Sequence, residues 1–279
     1  MRGKLILTGI LTAVFVFVIG QRFFRNDGFD GLTTSFNLSR GGEIKVETLT
    51  MTNDNDKGND GDKVVTKQIM ITEGVKHNVP LEEIISGGPP KDGIPSIDEP
   101  KFISILQANE WLNDNEPGVA FSRGSTHRFY PYQILVWHEI VNDQISGDLI
   151  LVTYCPLCLA GYVFDPVVQG EWVGFGTSGK LWNSNLVMYD RKTDSLWSQI
   201  LGEAIAGELT GTQLKVLPSD QVRYGDWKRN FPDGEVLSKE TGAIRFYGSS
   251  PYGDYFSAPD FAISLAGGGD KRLAPDDFI

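Results

Sequence analysis

Short apolar runs separated by turn-forming residues are the feature of this sequence that most constrains its fold. Runs of three to six residues lie at 149–154, 162–164, 186–190 and 214–217, with Gly, Asn, Asp or Pro between them. Runs of this length between turn residues are typical of short β-strands. The same pattern predicts further strands at 119–123, 128–130, 171–175 and 207–209.

Two short helices are predicted among these strands. Ser104 and Gln107 have the spacing of a capping box, which predicts a helix through Leu112. Pro131 suits the first turn of a second helix, which we expect to extend to about Val141. The sequence therefore predicts an α+β fold, namely a β-rich single domain with a few short helices.

Residues 1–25 have the composition of a signal-anchor or transmembrane segment. Arg2 and Lys4 precede an uncharged apolar run at 5–19. A basic segment followed by such a run is typical of export signals and membrane anchors. We therefore expect an N-terminal apolar helix that tethers the chain to a membrane. The rest of the protein would face the extracytoplasmic side, in the periplasm or at the cell exterior.

Residues 26–63 are rich in Asn, Asp, Gly, Thr and Ser, and 51–62 carry almost no apolar side chains. Such a segment buries too little apolar surface to offset the entropy of ordering, which predicts a flexible linker. Its acidic residues would also suit a calcium loop, but the closing Glu and flanking helices of an EF-hand are missing. The globular domain is predicted over 64–279. Its partners should not include nucleic acid, because the chain has a net charge of −11.

The chain's two cysteines, Cys155 and Cys158, are its clearest chemical feature. A predicted strand ends at Cys155 and a second one follows the pair, so neither sulfur is expected at a helix N-terminus, which stabilises the thiolate in thioredoxin-like proteins. Three interpretations stay open. The pair is a redox-active dithiol, with Cys155 as nucleophile and Cys158 as resolving thiol, or it binds a metal, or it is structural in a non-enzymatic binding module.

His138 precedes the strand that ends at Cys155 and is the candidate helper of the pair. With both thiolates it would form a Cys₂His site for a zinc or copper ion. It would alternatively act as a base that activates a cysteine. The remaining interpretation is a core or capping histidine that is hydrogen bonded to the backbone.

The segment at 174–179 matches the pattern G-x-G-x-x-G. Nucleotide binding at such a loop requires a helix that begins directly after it, with Ser or Thr available for magnesium. Leu181 stands at that position, and the residues that follow predict a turn and a strand. The glycines are therefore interpreted as part of a hairpin or a β-bulge, and no nucleotide is expected.

Several blocks between residues 93 and 273 resemble the prokaryotic family catalogued as domain of unknown function 3179. The blocks are GIPSIDEPKF, FYPYQILVWHEIVND, LVTYCPLC, FGTSGKLWNSNLVMYDR, SLWSQ, GELTGTQL and PDGEVLSKETG. The resemblance brings no established activity. Some members carry selenocysteine at the position of the cysteine pair, which implies redox chemistry with a thiol or electron-transfer protein as partner. Members often extend beyond the position of Ile279, which implies that this chain is a fragment.

The family pattern also includes residues that could surround the cysteines. We predict a supporting pocket formed by Tyr154, Asp190, Arg191 and Trp197. An arginine beside a thiolate would lower the pKa of the cysteine. The alternative is an Asp–Arg turn packed on buried aromatic residues.

Overall fold

The computed structural model describes the backbone at 31–38, 42–50 and 64–253, and the side chains at 68–253. Strands dominate these residues and the helices are short, which confirms the β-rich prediction. The predicted N-terminal anchor, at 1–25, lies outside the described residues. Within the part of the chain that is described, no helix is long and apolar enough to cross a membrane.

The strands are, in chain order, β1 Gly31–Leu38, β2 Gly42–Thr50, β3 Val64–Thr72, β4 Val75–His77, β5 Ile85–Ser86, β6 Phe102–Ser104, β7 Pro117–Arg123, β8 Thr126–Pro131, β9 Ile140–Ile145, β10 Asp148–Cys155, β11 Ala160–Asp165, β12 Val167–Val168, β13 Glu171–Trp172, β14 Phe175–Trp182, β15 Asn185–Asp190, β16 Leu196–Ser198, β17 Glu203–Ala206, β18 Lys215–Leu217, β19 Asp220–Arg223 and β20 Glu235–Leu237. The helices are α1 Ile105–Ala108, α2 Tyr132–Leu135 and α3 Tyr224–Asn230, with a 3₁₀ turn at Leu81–Glu83.

The strands form three main sheets. The largest has the order β1-β2-β3-β4-β17-β16-β15-β14-β5. A second has the order β18-β11-β10-β9, and a third has the order β19-β7-β8-β20-β6. The strands β12 and β13 form a small separate ribbon. The second sheet carries the cysteine pair, because its central hairpin joins β10 to β11.

The strands β1 and β2 lie inside the range 26–63 that the sequence predicts as a flexible linker. They pair with each other along their length, and β2 also pairs with β3. Gly31–Leu38 and Gly42–Thr50 are thus strands within the range of the predicted linker. The rest of the predicted linker lies outside the described residues, and the boundary of the globular domain stays a prediction.

The predicted helix from Pro131 is too long. The capping box of α1 is present, with Gln107 N donating to Ser104 Oγ, but the helices end at Ala108 and Leu135 rather than at Leu112 and Val141. After α2 the backbone reverses at Glu139, where φ is +59°. The residues that follow become β9 and pair with β10. Turn-type hydrogen bonds continue to Glu139, whose N–H donates to the carbonyl of Leu135 at 2.7 Å, and sheet pairing begins at Ile140.

Two predicted strands are displaced. The strand expected at 207–209 lies instead at Glu203–Ala206, and the chain turns at Gly207, where φ is +107°. A Cβ at Gly207 would lie 2.8 Å from the Cα of Ser195, so the close approach of these two segments requires glycine. The strand expected at 171–175 is divided between β13 and the start of β14.

A buried ion pair connects the second and third sheets. Arg128 on β8 donates to both carboxylate oxygens of Asp143 on β9, at 2.7 and 2.8 Å. The hydroxyl of Tyr130 donates to the same carboxylate at 2.6 Å. Because Asp143 is buried, these donors offset the cost of placing its charge inside the protein. The contact fixes β8 against β9 and with it the sheet that carries the cysteines.

Candidate dithiol site

The two cysteines lie on the tight turn of a β-hairpin. Cys155 is the last residue of β10 and pairs with Ala160, the first residue of β11. Between them the N–H of Cys158 donates to the carbonyl of Cys155 at 3.2 Å, and Leu159 has a φ of +52°. The predicted arrangement of strand, turn and strand is confirmed. Neither sulfur lies at a helix N-terminus, so no helix dipole stabilises a thiolate here.

The two sulfur atoms are close but not bonded. Their separation is 3.3 Å, whereas a disulfide bond is about 2.05 Å long. Cys155 is 1% exposed because its side chain belongs to the buried cluster around Phe164 and Trp197. Cys158 is exposed on the turn. The pair therefore consists of one buried and one accessible thiol.

The Cys158 sulfur has hydrogen-bond contacts of both kinds, with donors and with an acceptor, since it also lies 3.4 Å from the carbonyl oxygen of Ser184, to which its thiol donates. The thiol of Cys155 donates to the sulfur of Cys158, and the Asn185 side-chain amide donates to the same sulfur at 3.5 Å. The pKa of Cys155 is raised by the hydrogen bond to Cys158, by burial and by the charge of Cys158. These two donors would stabilise a Cys158 thiolate, whereas the carbonyl of Ser184 favours the protonated thiol. The assignment of Cys155 as nucleophile stays a prediction.

A buried polar network holds the hairpin in place. The Asn185 amide donates to Gln199 Oε1 at 2.9 Å. Gln199 Nε2 in turn donates to Thr153 Oγ1 at 3.1 Å and to the carbonyl of Ala160 at 3.0 Å. The network therefore links β15 and the end of β16 to both strands of the hairpin. It fixes the position of the Asn185 donor relative to the Cys158 sulfur.

His138 is a core histidine that is bonded away from the sulfurs. It is 1% exposed, with Nδ1 2.7 Å from the carbonyl of Pro95 and Nε2 2.7 Å from the hydroxyl of Tyr247. Burial lowers the pKa of its imidazole below the ordinary 6.5. No group of three or more His, Cys, Asp or Glu side chains in the described residues could hold a metal ion. The geometry corresponds to the backbone-bonded alternative rather than to a zinc or copper ligand.

Three of the predicted pocket residues stabilise the fold rather than the sulfurs. Asp190 is buried and accepts from Trp197 Nε1 at 3.0 Å and from the backbone N–H of Thr193 at 2.6 Å. Arg191 pairs with Asp98 at 2.9 Å and lines a different cavity. Trp197 is fully buried. This is the Asp–Arg turn with buried aromatic residues that the sequence left as an alternative.

Tyr154, the fourth predicted pocket residue, precedes Cys155 on β10. It is 3% exposed, and its ring stacks on that of Tyr132 with centroids 4.1 Å apart. Its role is therefore to pack the hairpin against α2.

The glycines at 174–179 form the predicted β-bulge. The register of β14 against β15 shifts between Thr177 and Lys180, and β14 continues as a strand. Gly179 has a φ of +72°, and a Cβ there would lie 2.1 Å from the carbonyl oxygen of Pro89. The bulge thus serves a close approach of two backbone segments.

An open cavity of about 740 Å³ lies beside the hairpin. Cys155, Pro156 and Leu157 contribute to its wall. Most of its other lining residues are apolar, and its charged ones are Glu139, Lys180 and Arg245. A large apolar cavity with a few polar groups is the usual form of a small-molecule site.

Glu139 lies in the wall of this cavity, which we call the Glu139 cavity. The residue is 5% exposed and accepts a hydrogen bond of 2.9 Å from the hydroxyl of Tyr252. Burial raises the pKa of its carboxyl group to about 7, against a smaller lowering by that hydrogen bond. Its φ of +59° is uncommon for a residue other than glycine. Perturbed ionisation and backbone strain both occur more often at functional sites.

Residues 91–279 match the family described as Protein of unknown function (DUF3179). The chain belongs to this family. No curated protein and no solved structure matches the chain. The DUF3179 match includes both cysteines, Asn185, Gln199 and every charged residue of the Glu139 cavity.

Sequence reasoning did not single out Glu139, Lys180 or Arg245 as site residues of the DUF3179 domain. Glu139 directly follows His138 within the block FYPYQILVWHEIVND, so its position in a block that resembles the family could have marked it as a candidate site residue. Lys180 lies directly after the bulge glycines. Arg245 comes from a distant segment, and the sequence gives no signal that places it beside the hairpin.

Proposed function

We propose that this DUF3179 domain is a thiol–disulfide oxidoreductase in which Cys158 is the attacking sulfur and Cys155 the resolving one. The observation that carries the proposal is the 3.3 Å separation of two unbonded sulfurs, one exposed and one buried. An exposed sulfur can reach a substrate disulfide. A buried partner at this distance can displace the substrate afterwards.

The reaction balances as two exchange steps. The Cys158 thiolate attacks one sulfur of a substrate disulfide, forms a mixed disulfide and releases the other substrate sulfur as a thiolate. Cys155 then loses its proton and attacks Cys158, which releases the second substrate thiolate. The substrate gains two electrons, and the Cys155–Cys158 pair becomes a disulfide. The reverse sequence oxidises a substrate dithiol.

Two surrounding features support this order of attack. The donors Cys155 and Asn185 both point to the Cys158 sulfur, and in a thiolate they would offset repulsion from the carbonyl oxygen of Ser184, 3.4 Å away. The raised pKa of Cys155 keeps it protonated until the mixed disulfide removes the charge on Cys158. An extracytoplasmic location, predicted from the apolar run at 5–19, would suit this chemistry because disulfides persist there.

Metal binding has less support. Both ring nitrogens of His138 already have oxygen partners, at Pro95 and Tyr247. The described residues bring no third ligand to the two sulfurs.

The test compares Cys155→Ser with Cys158→Ser in the full chain. With oxidised glutathione, Cys155→Ser should accumulate a mixed disulfide at Cys158, whereas Cys158→Ser should react at least about tenfold more slowly because its remaining thiol is buried. Mass spectrometry of the alkylated protein measures both products. The unsubstituted protein should form the internal disulfide with a reduction potential above about −300 mV. A lower potential, or no mixed disulfide in either variant, would show that the pair is structural.

A further inference from the structure

We propose that the Glu139 cavity binds an amphipathic organic anion, that is, a small molecule with an apolar body and one carboxylate, sulfonate or phosphate group. This inference goes beyond thiol chemistry, because binding requires only the cavity walls and their charges. It therefore holds or fails independently of the redox activity of the cysteines.

The size and walls of the cavity fit a small molecule. Its volume of about 740 Å³ lies within the range of roughly 300–1,000 Å³ that is typical of ligand sites. Apolar side chains from separate segments line it, among them Ile94, Val136 and Leu186. Burying an apolar ligand against such walls is favourable because it removes apolar surface from water.

The mouth of the cavity is also apolar. Ile244 and Phe246 line it, yet they are 94% and 81% exposed. Two large apolar side chains left in solvent at the rim of an apolar cavity are typical of a binding site. They would cover the apolar body of a bound ligand.

The charges of the cavity favour an anion. Lys180 and Arg245 line it, and neither forms an ion pair with another residue that the structure describes. Glu139 is the acidic residue among the described lining residues, and burial favours its neutral form. The cavity therefore presents net positive charge in a chain whose net charge is −11. A cationic ligand would meet two like charges there.

The charge state of Glu139 should couple to binding. The titratable groups that interact with it are Tyr252, which donates to it, and Cys155, while the two cations Lys180 and Arg245 line the same cavity. A bound anion repels the ionised carboxylate, so binding favours the protonated form. Affinity should then fall as the pH rises from 6 to 8, because Glu139 loses its proton in this range.

The experiment uses three ligands with the same tail, namely octanoate, octan-1-ol and octylammonium, titrated against the full chain by calorimetry. Octanoate should bind at least about tenfold more tightly than octanol, and octylammonium more weakly than both. Lys180→Gln and Arg245→Gln should each lower the preference for octanoate over octanol by threefold or more. Lys192→Gln is the matched control, because Lys192 is an exposed lysine that pairs with Glu171 away from the cavity.

Two further variants separate this proposal from a general effect on the fold. Phe246→Ser should weaken octanoate binding, whereas Leu106→Ser, which changes an equally exposed apolar residue elsewhere, should not. Glu139→Gln should remove the pH dependence of binding. Equal affinity for the three ligands, or no binding by the full chain, would overturn the proposal. The single variant Cys158→Ser should still bind octanoate, because Cys158 is not among the residues that line the cavity, and it lacks the proposed attacking sulfur, which distinguishes failure of this site from failure of the dithiol.

Discussion

Replacing Glu139 with Gln should make the stability of the protein less dependent on pH. Burial raises the pKa of this carboxyl group from the ordinary 4.5 to about 7. Between these two values the folded chain keeps a proton that the unfolded chain has released. The contribution of Glu139 to stability is therefore present below about pH 4.5, and it is lost as the pH rises through about 7. A glutamine keeps the neutral shape at every pH and can still accept the hydrogen bond from Tyr252.

The size of the effect follows from the two pKa values. Each pKa unit corresponds to about 1.4 kcal/mol, so the difference between 4.5 and about 7 corresponds to about 3 kcal/mol. The full amount applies because Glu139 is 5% exposed and solvent screens it little. The free energy of unfolding of Glu139→Gln minus that of the unsubstituted protein should be about 3 kcal/mol larger above about pH 8 than at pH 4.5.

The assay is urea denaturation of both proteins between pH 4.5 and 8.5. Other titrating groups cancel in the comparison, including His138, whose lowered pKa gives an opposite trend below about 6.5 in both proteins. The unfolding free energies should diverge steadily with rising pH. A difference that stays flat across this range would show that Glu139 is ionised in the folded protein at low pH, and the argument for its raised pKa would fail.

Two further substitutions test the packing that positions the site. Gln199→Leu should lower the free energy of unfolding by about 3 kcal/mol, since it removes three buried hydrogen bonds worth about 1 kcal/mol each. A loss below about 1 kcal/mol in urea denaturation would mean that the network does not hold the hairpin. Asp143→Ala should cost about 1–3 kcal/mol, because it leaves the buried hydroxyl of Tyr130 without its acceptor, while Arg128 keeps Glu235 and the carbonyl of Gln144 as partners. Melting temperatures that match the unsubstituted protein would contradict this.

Local signals predicted the elements that depend on local interactions. The capping box at Ser104 is set by side-chain hydrogen bonds to near neighbours, and the bulge around Gly179 is indicated by a glycine that its close approach to Pro89 requires. The helix from Pro131 was predicted too long because 131–141 fits one helical face. Pairing of β9 with β10 and a bridge from Ile97 to Val141 decide the structure there. The hairpin pairing depends on the turn between β9 and β10, and the bridge joins residues that are distant in sequence, so helical periodicity within 131–141 reveals neither.

In the candidate site, too, the sequence predicted some features and only the fold decided the others. The spacing of Cys155 and Cys158 predicted a dithiol on a strand-ending turn, but it did not reveal which sulfur is exposed. That depends on Cys155 packing into the cluster around Trp197, which only the fold brings together. The raised pKa of Glu139 likewise depends on burial and on Tyr252, which is 113 positions away. A charged residue next to a histidine in sequence gives no indication of either.

The hairpin geometry connects the dithiol to the Glu139 cavity. Closing the disulfide requires the sulfurs to approach from 3.3 Å to about 2.05 Å. Cys155 is fixed in a buried strand, so the turn residues have to make most of this movement. Pro156 and Leu157 belong to that turn and also form part of the cavity wall. Oxidation of the pair would therefore reshape the wall of the cavity. A ligand that fits the reduced shape better would, by reciprocity, hold the dithiol in its reduced state.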